Sequence, residues 1–210
     1  MSEDFINGLV ATAEPVQRRR VGLEALAVLA VGGIEFIGLT YFFDPAIAAA
    51  AFNASPVAMT AKVALFGLLA LASMGLALLS LDPAAKRIET GAIALLTTML
   101  VLSVGFFDFR IGPTLEQTIH PMTGMHCTIA VTSLALPVTL VMGMLMMSGA
   151  STQPRRSAFL AGLAGGAFGA FVFSLQCPHT SFYYLALWYG GGIGIVSLLS
   201  IALMPRFMRW

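Results

Sequence analysis

Six long apolar runs, at about 21–42, 57–79, 88–107, 126–147, 158–176 and 182–203, leave this chain one class of fold. Each is close to the roughly 20 residues that a helix rising about 1.5 Å per residue needs to cross about 30 Å of hydrocarbon. In lipid every backbone N–H and C=O must find its partner within the protein, and a helix satisfies them inside its own segment. The expected fold is therefore all-α: a polytopic membrane protein built as a bundle of six transmembrane helices. Composition agrees, since 58% of the 210 residues are hydrophobic and only 10% are charged, far from the balance of a soluble domain. The turns near Asp82-Pro83 and Thr152-Gln153-Pro154 and the longer loop from Asp108 to Met125 leave no room for a separate folded domain.

Six crossings return the C-terminus to the side on which the chain began. Arg18, Arg19, Arg20, Lys86, Arg87, Arg155, Arg156, Arg206 and Arg209 all fall on that side, and Arg110 alone falls in a loop on the other. By the positive-inside rule both termini are expected in the cytoplasm. The first run lacks a small-residue cleavage pattern and is expected to act as its own insertion signal. No basic patch interleaved with aromatics is present, so direct nucleic-acid binding is not expected.

Ahead of the first run, residues 2–14 place Phe5, Ile6, Leu9 and Val10 on one helical face, with Ser2 as a cap and Glu3 and Asp4 in the first turn. Residues 1–20 thus read as a cytoplasmic amphipathic segment and residues 21–210 as a six-helix sensor domain. Such a face suits membrane lipid, and it equally suits a soluble partner; the residues alone favour lipid.

Ionisable groups inside the membrane are costly unless paired, protonated or wet. Glu35 and Lys62 lie at similar depth below the outer ends of the first two runs, which predicts an ion pair between adjacent helices with a structural role. In the fifth run Gly162, Gly165, Gly166 and Gly169 form two small-xxx-small pairs, and Gly190 with Gly194 forms another in the sixth. Close helix packing is their expected use.

The most specific chemistry surrounds the chain's two cysteines. Cys127 is about 20 residues from the inner end of its run and Cys177 about 19 from the inner start of its own, so both reach the same outer level. Antiparallel helices facing an oxidising compartment make a disulfide the first reading, and two small side chains packed in a bundle the plainer one. All three histidines also sit on the outer side: His120 and His126 precede Cys127, together with Met122 and Met125, and His179 follows Cys177. Thiolate, imidazole and thioether suit soft or borderline ions such as Cu, Zn or Cd. The candidate ligand set is Cys127, Cys177, His126, His179, His120 and Met125. No CxxC or HxxxH spacing is present, and methionine is abundant at twelve residues. A redox or soft-metal switch at the outer rim is the working expectation.

The segment CPHTSFYYLALWYGGGIGIVSLLSIALMPRFMRW, with its Cys-Pro, its Trp-Tyr and its closing Pro-Arg-x-x-Arg-Trp, resembles the end of the NrsF-type membrane anti-sigma factors. The opening DFINGLVATAEPVQRRR and the six-run layout are similar to that family as well. The resemblance implies a bacterial inner-membrane regulator, not an enzyme. Such a regulator holds an extracytoplasmic-function sigma factor through its cytoplasmic N-terminal segment and perceives a heavy metal or oxidant through Cys127 and Cys177. On that footing Phe5, Ile6, Leu9 and Val10 become candidate partner contacts. Two other classes stand against it. A thiol:quinone oxidoreductase ordinarily exchanges between two cysteine pairs, and this chain can form at most one intramolecular disulfide. A soft-metal transporter predicts polar residues continuing down through the bundle, where the fifth run has almost none.

Overall fold

The computed structural model describes residues 21–42, 45–80, 121–147 and 153–207, and all regular structure among them is helical. In chain order the helices are α1 (Val21–Phe42), α2 (Pro45–Ala54), α3 (Pro56–Leu79), α4 (Pro121–Met147) and α5 (Pro154–Ser174). They are followed by α6 (Phe182–Tyr184), which passes through a π-helical turn at Leu185–Tyr189 into α7 (Gly190–Phe207). Prolines open α2 through α5, at the position where a missing N–H costs nothing.

Five stretches are long and apolar enough to cross a membrane: Gly22–Leu39, Pro56–Leu79, Pro121–Met147, Pro154–Ser174 and Phe182–Arg206. They correspond to five of the six runs. The third, 88–107, lies outside the described residues, as does the amphipathic segment 1–20. The connection between the first two runs carries the short apolar helix α2, which periodicity alone did not suggest.

The bundle is organised around α5, which is the most buried of the five spanning stretches. It packs most extensively on α3, α4 and α7. Its sequence permits this, because glycine and alanine let neighbouring backbones approach. A Cβ added at Gly162 would lie 2.7 Å from the Ser197 Cα, and one at Gly166 would lie 3.0 Å from the Ile193 Cα, both on α7. A Cβ at Gly169 would lie 2.5 Å from the carbonyl oxygen of Val131 on α4, and one at Gly165 would run into Thr139. The two expected glycine pairs therefore seat two different helices. The third expected pair does not behave that way: Gly190 and Gly194 have no described atom within 4 Å of an added Cβ. Gly192 takes the close contact instead, against Val131 at 2.9 Å, because the π-helical turn shifts which face of α7 meets α4.

Polar contacts fix the antiparallel arrangement of α3 and α5. Ser80, just past α3, has its hydroxyl 3.1 Å from that of Ser157 in the first turn of α5. At the opposite end Lys62 of α3 reaches the backbone beyond α5. Large apolar side chains such as Leu26, Ile34, Leu68, Leu140 and Leu198 face outward. That is the surface a bilayer would cover, with the small residues turned inward.

Candidate functional site

The site is assembled where α5 stops. After Ser174 the backbone tightens: the N–H groups of Gln176 and Cys177 both donate to the carbonyl of Phe173, at 3.1 and 3.2 Å. Pro178 has no N–H with which to continue a helix. The turn after α5 thus presents carbonyls without helical partners, and an ammonium from the neighbouring helix meets them. Lys62 Nζ donates to the carbonyl oxygen of Cys177 at 2.5 Å and to that of His179 at 3.1 Å. These acceptors allow a lysine to be only 2% exposed within an apolar bundle.

Cys177 and Cys127 are both buried and both free thiols. Both belong to one buried cluster with Phe66, Tyr184 and Tyr189. The hydroxyl of Tyr184 lies 3.0 Å from Cys127 Sγ, and the His179 ring lies over the Tyr184 ring at 4.4 Å. The π-helical turn explains how residues five apart come to share a face, since it widens one helical turn. Both Tyr184 and Tyr189 are thereby buried on the cysteine side. Tyr189 is stacked on Phe66 at 5.1 Å and tilted against Phe173 at 5.7 Å. Its hydroxyl faces the Cys177 sulfur but makes no hydrogen bond of good geometry among the described residues. Trp188 closes the rim: its ring fills the space a side chain at Gly124 would need, and its carbonyl accepts from the Thr128 hydroxyl at 3.0 Å.

Cys177 stands in the turn between spanning helices, and its thiol is held below the ordinary range. The first cause is hydrogen bonding with the Cys127 thiol; the Tyr189 hydroxyl, the His179 backbone N–H and the Lys62 charge act in the same sense, against burial. The Lys62 charge acts on both sulfurs, and the Tyr184 hydroxyl is in hydrogen-bond distance of Cys127.

The residues expected to act together divide into three groups. Cys127, Cys177 and His179 share the site. His126 and Met125 are exposed, and the His126 Nδ1–H donates to the carbonyl of Met122 on its own helix at 2.7 Å. Neighbouring residues on a helix point about 100° apart, so Cys127 turning inward carries His126 outward. His120, Phe5, Ile6, Leu9 and Val10 lie outside the described residues. Among the described residues no three His, Cys, Asp or Glu side chains converge as metal ligands. Of the anticipated mixed ligand set, the described residues place Cys127, Cys177 and His179 at the site and His126 and Met125 on the exposed side of α4.

The expected Glu35–Lys62 ion pair is not formed. Lys62 is turned toward the two carbonyls past α5, and neither Glu35 carboxylate oxygen has a hydrogen-bond partner among the described residues. Sequence reasoning set Lys62 at the depth of Glu35 without setting it at the depth of the cysteines. Lys62 is six residues into α3 and Cys127 six residues into α4, so the same depth argument would have found this contact. Tyr184 and Tyr189 read as interfacial aromatics because nothing in their order announces the π-helical turn that buries them.

A family model described as "Negative regulator of sigma F" (NrsF) matches residues 9–210. A protein of Azospira oryzae named "Probable anti-sigma-F factor NrsF" is 32% identical over 88 residues, 42% of this chain and 41% of that protein. The "Anti-sigma-F factor NrsF" of Caulobacter vibrioides is 30% identical over 95 residues, 45% of this chain and 44% of the relative. In both cases the chain is aligned with less than half of the relative's length. No solved structure matches. With its family model spanning nearly the whole sequence, including both cysteines and Lys62, this chain belongs to the NrsF family of negative regulators of sigma F.

Proposed function

We propose that this protein is an anti-sigma factor of the bacterial inner membrane. With both termini in the cytoplasm, it sequesters an extracytoplasmic-function sigma factor through residues 1–20, using the apolar face of Phe5, Ile6, Leu9 and Val10. It releases the sigma factor when a stress signal outside the membrane alters the Cys127–Cys177 pair. Family membership supports the regulatory role. The observation that carries the sensing role is the burial of two free thiols in one cluster, one on α4 and one in the turn after α5. A bond made or lost there changes how α4 is held against the end of α5. A differential of about 1.4 kcal/mol between two helix arrangements changes partner affinity about tenfold.

The test is expression of the partner sigma factor's regulon. Deleting residues 2–14 is expected to leave the regulon on without stress and to abolish co-purification of the sigma factor. Cys127→Ser and Cys177→Ser are expected to retain the complex but lose the response to oxidant or metal. Normal induction with both thiols removed would overturn the sensing role. A deletion variant that still holds the sigma factor would overturn the docking role.

A further inference from the structure

The first two turns of α4 divide their soft side chains between two faces. Cys127 points into the bundle, whereas Met122 and Met125 are 78% and 60% exposed and His126 is exposed beside them. At about 100° per residue the three outward side chains fall within an arc of about 100°, with Met122 one turn nearer the start of the helix. Residues three and four apart on a helix have Cβ atoms about 5–6 Å from each other, and an unbranched thioether with three rotatable bonds closes such a gap. Ile129, Leu136 and Leu140 continue the same face inward, all exposed. Two sulfurs and an imidazole thus cap the lipid-facing stripe of α4 where it reaches the rim.

The state of the His126 ring points to a ligand. Its Nδ1 lies 2.7 Å from the carbonyl oxygen of Met122. A carbonyl can only accept, so Nδ1 carries the proton and Nε2 keeps a bare lone pair. Metal-binding histidines are held in this way, one ring nitrogen donating to a backbone carbonyl and the other left for the ion. Because the ring is exposed, the bond does not rescue a buried polar group; it fixes which nitrogen faces outward.

We propose that Met122, Met125 and His126 form a Cu(I) site on the outer face of α4, separate from the cysteine pair, with the two thioether sulfurs and His126 Nε2 as ligands. Thioethers select Cu(I) over harder divalent ions, and the set contains no carboxylate or thiolate that would turn the preference toward Zn(II). All three ligands are neutral, so the complex carries only the single charge of the ion. A helix start disfavours cations, but that effect falls off within the first turn, and Met125 and His126 stand beyond it. The site goes beyond the role proposed for Cys127 and Cys177 and does not depend on it.

The experiment uses the full chain in lipid nanodiscs with both thiols removed, Cys127→Ser and Cys177→Ser together, so that any sulfur on the metal comes from methionine. Cu(I) is titrated without oxygen against a coloured Cu(I) chelator, and the loaded protein is examined by X-ray absorption at the copper edge. One Cu(I) per chain is expected, with sulfur and imidazole nitrogen in its ligand shell and no displacement by Zn(II). On that background Met122→Leu, Met125→Leu and His126→Gln are each expected to weaken binding at least about tenfold, no less than the loss of an outer-shell partner does at other metal sites. Met144→Leu, exposed on the same helix far from the rim, is expected to change nothing. All four replacements stand at exposed positions, and unchanged helical circular dichroism confirms that the fold survives. Failure of the thiol-free chain to bind Cu(I), equal binding after all three ligand replacements, a shell without sulfur, or preference for Zn(II) overturns the site. Regulon induction through the cysteines is measured separately, so either result here leaves that role standing.

Discussion

Lys62 Nζ donates to the main-chain carbonyl of Cys177, 115 positions further along the chain. The bond ties the N-terminal part of α3 to the turn after α5, and the second bond, to His179, ties it across Pro178. One lysine thus determines where the cysteine-bearing turn lies relative to the bundle.

Replacing Lys62 by Met leaves two carbonyls in a nearly dry turn without their charged donor. Hydrogen bonds to charged groups contribute roughly 1.5–3 kcal/mol net, and some of the loss is recovered by water at the rim. Lys62→Met is expected to destabilise the protein by about 1.5–3 kcal/mol. Lys62→Glu is expected to cost more, since it sets a carboxylate against two carbonyl oxygens. Thermal unfolding in detergent, with maleimide capture of the cysteines as the readout, checks both. Equal damage from Met and Glu would mean that the carbonyl contacts do not matter.

Glycines on two faces of α5 hold α4 and α7 close, and the two kinds of glycine in the bundle should respond differently. Gly169→Val would drive a side chain into the backbone of Val131 and Ala135, at 2.5 and 2.8 Å from the Cβ alone. Helix separation or strain of about 1–3 kcal/mol is expected. Gly190→Ala meets open space, and alanine is favoured over glycine in a helix by roughly 0.5–1 kcal/mol. It should therefore be neutral or mildly stabilising. Melting temperatures of the two variants in the same detergent decide the matter; a Gly190→Ala loss as large as that of Gly169→Val would be inconsistent with this packing.

The division between legible and illegible features follows from the range of the forces involved. The spanning runs were readable because crossing hydrocarbon demands a continuous apolar stretch, and 57–79 lies within α3 while 182–203 follows α6, the π-helical turn and α7. Gly162 through Gly169 were readable as packing glycines because only small residues permit such contacts. Equal depth of Cys127 and Cys177 was readable from helical rise. The partner of Lys62 was not, because an ammonium accepts either a carboxylate or carbonyls, and the choice depends on helix rotation. Gly190 and Gly194 misled for a related reason: the π-helical turn upstream changes the phase of α7, and a phase change has no compositional mark.

Tyr184 and Tyr189 lie on the same face but their hydroxyls differ, and this difference supplies the sharpest test of the site. Tyr184→Phe removes the 3.0 Å contact with Cys127 Sγ while keeping the ring against His179, and a loss of about 0.5–1.5 kcal/mol is expected. Tyr189→Phe keeps the stacking on Phe66 and removes a buried hydroxyl that lacks a well-formed hydrogen bond among the described residues. While Cys177 is a thiol, that removal should be neutral or stabilising. The sign reverses with pH. The Tyr189 hydroxyl is one of the groups that lower the Cys177 pKa, so it stabilises the thiolate. A lowered folded-state pKa contributes stability that is fully present above the unfolded value, about 8.5 for a thiol, and is lost as pH falls through the folded value. Relative to the unaltered chain, Tyr189→Phe should therefore be no less stable on the acid side of that window and progressively less stable as pH rises through it. Unfolding curves taken across the window measure this directly. A difference between the two chains that stays constant with pH would mean that the Tyr189 hydroxyl does not act on Cys177.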